Sequence, residues 1–290
     1  MIDASRINTT MNFRRAFTLI EILVSISIVG LLSSIIIVSV NAARLKANFA
    51  SGQQFGANVY HSLGDSAVVS LDFESINAGT TPNAADSSNP GLLANWYGAV
   101  TANLVSGVSG MGMYIKNPSL LYLSLSNYNL KDFTASFWFK PISIATFGPG
   151  YEDNGNSDEL YILSANNGSF RVVLSPNGQI QIYQEYGGTP FFWITCPQKI
   201  VVNTFYNITE TMSSGSDKKF TAYLNGQKCG SSGDVALPTS MSWLSLNYLS
   251  FNQGSENVYD QVRLFTRSFL ASEVQQIYAD GPSKHLADAK

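Results

Sequence analysis

Phe133-Thr134-Ala135-Ser136-Phe137-Trp138-Phe139-Lys140-Pro141 alternates between two kinds of side chain. In an extended chain Phe133, Ala135, Phe137 and Phe139 fall on one face, and Thr134, Ser136, Trp138 and Lys140 on the other. The first set is expected to face a core and the second to face outward. The same texture surrounds this run. From Ala67 onward, short stretches rich in Val, Ile, Thr, Tyr and Phe alternate with Gly, Asn, Ser and Pro clusters, the pattern of an all-β sandwich. Further strands are predicted over 67–73, 111–115, 160–164, 169–174, 179–186, 191–196, 205–212, 219–224, 244–251 and 256–266. Asn225-Gly226 predicts a hairpin turn. Val274, Ile277 and Tyr278 are spaced for a short closing helix stopped by Gly281-Pro282, and 282–290 read as a loose tail.

Toward the N-terminus the pattern changes. Arg14-Arg15-Ala16-Phe17-Thr18-Leu19-Ile20-Glu21 runs into 22 residues, Ile22 to Ala43, that carry no charge. At about 1.5 Å per helical residue these span roughly 33 Å, enough for a bilayer core. Glu21 stands at the head of that segment, where an ionised carboxylate costs on the order of a few kcal/mol unless it is paired. A partner cation is implied. Helical spacing continues through Leu45, Phe49, Gly52, Phe55, Val59 and Leu63, and Gly64-Asp65 ends it. One helix is therefore expected over 17–64, with a membrane span at about 20–43.

Residues 14–21 resemble the class III signal of type IV pilins and type II secretion pseudopilins. The resemblance implies a leader over 1–16, cut by a prepilin peptidase between Ala16 and Phe17, and methylation of the new terminus at Phe17. It makes Glu21 the fifth residue of the mature chain, which in such filaments neutralises the α-ammonium of a neighbouring subunit. Ala16 replaces the commoner Gly, and Val38-Ser39 stands where many major pilins carry Pro. Met11 offers a second start, with a leader of six residues. An ordinary signal peptide fits less well, because its apolar region runs about 7 to 15 residues and has no use for Glu21.

The chain has 290 residues and a formal charge of −3. Without the leader's Arg6, Arg14, Arg15 and Asp3, 14 basic residues face 19 acidic ones, a net −5. Past Lys46 no run of Lys or Arg exceeds two residues, so a nucleic-acid partner has little electrostatic support. Cys196 and Cys229 both lie beyond the anchor. An even pair outside the cytoplasm reads as a disulfide, with two free buried thiols as the alternative. Absence of a Cys-x-x-Cys pair, and histidines only at 61 and 285, argue against metal binding through them.

Five pieces in order resemble the laminin G-like or concanavalin A-like jelly roll. They are Leu71-Asp72-Phe73-Glu74, Asp86 to Gly91, Phe133 to Pro141, Ala222 to Gly226, and Tyr259 to Phe265 before the closing helix. The resemblance covers about 67–281. The fold class is thus mainly β, a long N-terminal transmembrane or filament helix followed by a jelly-roll sandwich. It implies a structural calcium ion pinning the first strand to the last through Glu74 or Asp72 with Asp260. The competing reading is that Asp72 and Asp260 cap turns or pair with Arg263 or Lys140. Retaining glycosidases place paired acids on one strand about 5 Å apart, but no Glu-x-Asp-x-Glu occurs here. The acidic stretch Glu152 to Glu159 is Gly/Asn-rich and reads as a solvated loop. An enzyme is not expected. Sugar binding needs exposed rings flanked by hydrogen-bonding groups, for which Trp138, Trp193, Tyr183 and Tyr186 are the candidates.

The expectation is a pilin-like subunit that leaves the bacterial inner membrane for a surface filament and displays a lectin-like head there. Its expected partners are other pilin subunits, the peptidase and a glycan or other surface ligand. A minor pilin, a type II secretion pseudopilin and a membrane-tethered glycan receptor remain the alternatives.

Overall fold

The computed structural model describes residues 18–33, 36, 40, 43, 66–73, 76–77, 83–84, 94–97, 102–116, 120–125, 132–143, 160–165, 170–175, 177–186, 189–214, 219–232, 243–246 and 256–281. The chain divides into two compact units, Met1–Lys46 and Ala47–Lys290.

In the first unit, residues 19–33 form helix α1, and 36, 40 and 43 are also helical. Leu19, Ile20, Ile22, Leu23, Val24 and Ile26 are all more than half exposed, so the apolar surface wraps the helix rather than forming a stripe. The hydroxyls of Ser25, Ser27 and Ser33 donate to the carbonyls of Glu21, Leu23 and Val29 at 2.7, 2.8 and 2.7 Å. Each serine is thereby satisfied within the helix, which keeps the surface apolar. Among the described residues no helix is long and apolar enough to cross a membrane. The unbroken run 19–33 covers roughly 22 Å at 1.5 Å per residue, and most of the expected span beyond it lies outside the described residues.

The second unit is a sandwich. Its strands are β1 (Ala67–Leu71), β2 (Ile76–Asn77), β3 (Asn83–Ala84), β4 (Ala94–Tyr97), β5 (Ala102–Ser106), β6 (Met111–Lys116), β7 (Leu120–Ser124), β8 (Phe133–Ser143) and β9 (Leu160–Ala165). They continue with β10 (Phe170–Leu174), β11 (Gln179–Tyr186), β12 (Thr189–Lys199), β13 (Tyr206–Ser213), β14 (Lys219–Leu224), β15 (Gln227–Ser231), β16 (Trp243–Leu246) and β17 (Glu256–Phe265), closed by helix α2 (Ala271–Asp280). One sheet has eight strands, ordered β15-β14-β13-β8-β17-β6-β5 with β1 paired to β17. The other has seven, ordered β12-β11-β10-β9-β16-β7-β4. Neighbours in both sheets are antiparallel. The first and last strands therefore meet, Leu71 opposite Val262 and Ser70 opposite Arg263.

Phe133, Ala135, Phe137 and Phe139 of β8 enter the core between the sheets, with Ile208, Phe220, Leu224 and Leu264 from their own sheet and Leu121, Val172, Ile182 and Leu244 from the other. β14 and β15 join through Asn225 and Gly226 at φ 52° and 71°, the left-handed pair a type I′ turn requires. The Asn225 side chain accepts the Asn207 N–H at 2.9 Å. The pair Cys196 and Cys229 is a disulfide with Cα atoms 4.7 Å apart. It joins β12 and β15, the edge strands of the two sheets, and so closes the sandwich along one side.

The opposite face of β8 differs from expectation. Thr134 and Ser136 are 0% and 2% exposed, because the chain from Arg267 through α2 covers them. The Thr134 hydroxyl donates to the Arg267 carbonyl at 2.8 Å and accepts the Phe269 N–H at 2.9 Å. Ser136, Thr209 and Asn207 close a small polar network beneath: hydroxyl to hydroxyl at 2.9 Å, Thr209 to Asn207 Oδ1 at 3.0 Å, and Asn207 Nδ2 to Ser136 at 3.3 Å. Satisfied in this way, polar residues tolerate burial. Val274 and Ile277 of α2 pack on Tyr223, Phe265 and Phe269. Leu270 at the N-cap has no acceptor to offer, and Glu273 compensates. Its carboxylate accepts the Leu270 N–H at 2.8 Å and two Arg267 N–H groups at 3.0 and 2.7 Å. Those Arg267 bonds hold the Glu273 pKa below its ordinary value.

Candidate functional site

The outer face of the seven-stranded sheet carries one residue from each strand in a single row. Trp193 stands opposite Tyr183, Tyr183 opposite Arg171, Arg171 opposite Ser164, Ser164 opposite Ser245, Ser245 opposite Tyr122 and Tyr122 opposite Asn95. Their strand neighbours Leu121, Leu123, Val172, Ile182, Ile194, Leu244 and Leu246 point into the core, which fixes the row on the other face. With strands about 4.8 Å apart, the row measures roughly 29 Å from β12 to β4. It combines three aromatic residues, two serines, an amide and a guanidinium, and contains no carboxylate.

Arg171 is at the third place in the row. Its Nη1 donates to the Tyr183 hydroxyl at 3.1 Å, and its guanidinium carbon lies 5.7 Å from the Tyr183 ring centre. Tyr183 is 3% exposed and packs with Val173, whereas Arg171 is half-buried. Tyr183 therefore serves as a support for the guanidinium rather than as an open ring. One place along the strands, Gln181 lies opposite Val173 and Thr195 on the same face. Gln181 is 3% exposed, and among the described residues its Oε1 receives no hydrogen bond. Trp193 and Tyr186 sit on β12 and β11, their side chains outside the described residues.

Trp138 takes a different position from the one expected. It is 2% exposed and stacks on Tyr278 of α2, with ring centres 5.6 Å apart and planes 23° from parallel. A Cβ on Gly281 would come within 2.5 Å of the Trp138 ring, so a glycine lets the chain pass over it. No sugar reaches a ring face so covered. Lys140 places its ammonium 4.6 Å from the Phe205 ring centre.

The expected calcium ligands are arranged otherwise too. Asp260 is fully buried, and its Oδ2 accepts the N–H groups of Val108 and Ser109 at 2.8 and 3.2 Å. A bulge between Asp260 and Arg263, with Gln261 at φ 48°, puts Asp260 opposite Trp138 and Arg263 opposite Ser136. Residues three apart thus share a face, which a regular strand forbids. Burial pulls the Arg263 pKa down to about 10, while Asp260 and Asp72 oppose that fall. A buried guanidinium and two backbone donors take the place of a cation, so this set does not fit calcium. Glu74 lies outside the described residues, and among those described no three His, Cys, Asp or Glu gather to hold a metal ion.

At the other end of the chain, Thr18 and Glu21 form a capping box. Glu21 Oε2 accepts the Thr18 N–H at 2.8 Å and its hydroxyl at 2.9 Å, and the Glu21 N–H returns to the Thr18 hydroxyl at 3.3 Å. Thr-x-x-Glu before an apolar run is the signal that finds it. Ala16, Phe17 and the acidic stretch 152–159 lie outside the described residues. The residues that sequence reasoning missed are Arg171, Gln181, Ser164, Ser245, Tyr122 and Asn95. In Leu121 to Leu125 the alternation is visible, Leu121, Leu123 and Leu125 inward and Tyr122 outward, but register across seven strands is a long-range property.

Residues 116–275 match the concanavalin A-like lectin/glucanases superfamily, and residues 11–37 match the prokaryotic N-terminal methylation motif. The fold is similar to the binding domain of Paraclostridial Mosquitocidal Protein 1, with TM-score 0.57 and 20% identity over 74% of this chain and 52% of that one. It is also similar to domain 4 of AbnA, an extracellular arabinanase from Geobacillus stearothermophilus solved with arabinotriose, at TM-score 0.55 and 13% identity over 73% and 98%. A third likeness is to the botulinum neurotoxin serotype C1 binding domain, at TM-score 0.54 and 14% identity over 74% and 52%. The chain spans about half the length of the two toxin chains. No curated protein matches it.

Proposed function

The chain belongs to the concanavalin A-like lectin/glucanases superfamily, and from that premise we propose that it is a pilin-like surface subunit whose head binds glycans. The observation that carries this reading is the joining, in one chain, of a methylation motif at 11–37 and a lectin-like domain. The motif supports processing by a prepilin peptidase between Ala16 and Phe17, passage through the membrane, and assembly with other pilin subunits. The apolar surface all round α1 needs either lipid or neighbouring helices to cover it. The row on the seven-stranded face includes the part-exposed Tyr122 and Arg171, a ring and a polar group of the kinds a saccharide uses. Binding without cleavage is the better account, because that row lacks an acid pair. A bulky head favours a minor or tip subunit over a major pilin.

Glu21 has two roles in this account, the cap on α1 and the counter-charge to a neighbour's terminus. Glu21→Gln separates them, since glutamine keeps the acceptor for Thr18 but loses the charge. The Glu21→Gln chain is expected to be cut normally and to fall about tenfold or more in sheared surface filaments, following loss of a buried ion pair. Incorporation at the wild-type level would refute the charge role. Loss only in Glu21→Val would leave the cap as the sole function.

A further inference from the structure

The loop 200–205, between β12 and β13, gives the head a second surface to engage. We propose that this loop, with Lys140 beside it, docks the head on a bilayer bearing anionic lipid headgroups. The inference goes beyond glycan binding and rests on the reading of α1 as a membrane stalk.

Three observations carry it. First, the loop is held in shape while it exposes apolar surface. The Ile200 N–H donates to the Gly178 carbonyl at 2.7 Å, the Val201 N–H to the Tyr206 hydroxyl at 2.9 Å, and the Asn203 N–H to the Pro141 carbonyl at 2.7 Å, with Asn203 at φ 62°. Between these ties Val201 and Val202 stand 59% and 39% exposed. Among the described residues of the sandwich, the other large apolar side chain exposed to this degree is Leu270, a lone residue of the kind any surface carries. Two adjacent valines on a fixed loop lose little freedom when they are covered. Second, positive charge flanks the valines and no acid neutralises it. The Lys140 ammonium is half-buried over the Phe205 ring of the same loop, 4.6 Å from its centre, and among the described residues no carboxylate pairs with it. Burial lowers its pKa from the ordinary value, a cost that a nearby anion would offset. Lys199 is exposed two positions before Val201. Neither β8 nor residues 196–209 contain Asp or Glu, and Glu256, opposite Ser143 on the neighbouring strand, is taken by Lys116 at 2.7 Å. Third, the stalk and the head are one chain. With α1 in a bilayer, residues 44–66 keep the sandwich tethered near lipid, so contacts too weak to hold a free protein act at high effective concentration. Apolar side chains favour the headgroup boundary, and each Lys near an anionic surface strengthens attachment about fivefold. A soluble anion satisfies only the lysines and neutral lipid only the valines, whereas an anionic bilayer satisfies both.

The test uses the full chain reconstituted through α1 into vesicles, either of phosphatidylcholine alone or of phosphatidylcholine with phosphatidylglycerol. Val202→Trp reports the position of the loop through the fluorescence it adds over wild type, read with and without doxyl-labelled lipid as quencher. The ratio of lipid-quenched to unquenched loop should be at least about tenfold higher in the anionic vesicles, as two lysines at about fivefold each require, and should fall as salt rises. Adding Lys140→Gln and Lys199→Gln should remove that difference and leave the thermal midpoint unchanged. Should that protein fail to fold, Lys199→Gln alone, at an exposed position, should reduce the difference about fivefold. Equal quenching in the two kinds of vesicle, quenching in neither, or a difference that survives removal of the lysines would overturn the inference and leave the stalk reading standing. A chain that floats with neither kind of vesicle would end both.

Discussion

Glu210 projects from β13 into the sandwich core, where it is fully buried and, among the described residues, neither carboxyl oxygen has a hydrogen-bond partner. Register explains how it fits. Ala135, Ala222 and Gly230 lie beside it on the same row, three small residues around one long one. Burial raises its pKa well above the ordinary 4.5, so the native state holds a proton that the unfolded chain gives up. Stability from this group is therefore complete below pH 4.5 and declines as pH rises toward the folded value, by about 1.4 kcal/mol per pH unit. Glu210→Gln should match the wild type at pH 4 and exceed it at pH 8 in thermal or denaturant melts. Parallel pH curves for the two proteins would contradict this. Alternation puts Glu210 on the face of Ile208 and Met212, but a carboxylate is seldom buried, so its place in the core was not legible from residue type. Trp138 was misread for a related reason. Alternation shows that a residue leaves the core, and says nothing of a helix some 130 residues later that covers it.

Elements were easier to read than their partners. The strands at 133–143, 179–186, 219–224 and 256–265 follow the alternation and turn signals closely. β4, β5, β7 and β15, with four or five residues each, escaped, whereas the equally short β1, β10 and β16 were marked by β-branched or apolar runs. Alternation alone is too brief in strands of this length to stand out. The pairing of Cys196 with Cys229 was legible from number and compartment, but its structural meaning was not. It ties together the two edge strands β12 and β15, and Pro190 and Pro197 further blunt the β12 edge. The Cys196→Ser, Cys229→Ser protein should lose about 3 to 4 kcal/mol in the chain-entropy model for a separation of 33 residues. Reductant should lower the wild-type thermal midpoint and leave that of the variant unchanged. An equal response in both would show that the bridge adds no stability.

At the scale of the whole chain, two units answer to two environments. α1 is apolar on every side and headed by a capped carboxylate, a composition suited to lipid or to a helical filament core. The sandwich is built for water, with its polar rows either networked under α2 or gathered on the seven-stranded face. Both halves could be read from sequence through local patterns, a charge-free run in one and alternation in the other. The row on the seven-stranded face could not, since it exists only once seven strands from 94 to 246 align. The account stands on the claim that the first unit is a processed pilin stalk. Mass spectrometry of the N-terminal peptide, taken from native chains in sheared surface filaments and in the membrane fraction, tests it directly. A methylated terminus at Phe17 in the filaments is the predicted result. An uncut terminus at Met1 or Met11 in both fractions would contradict it.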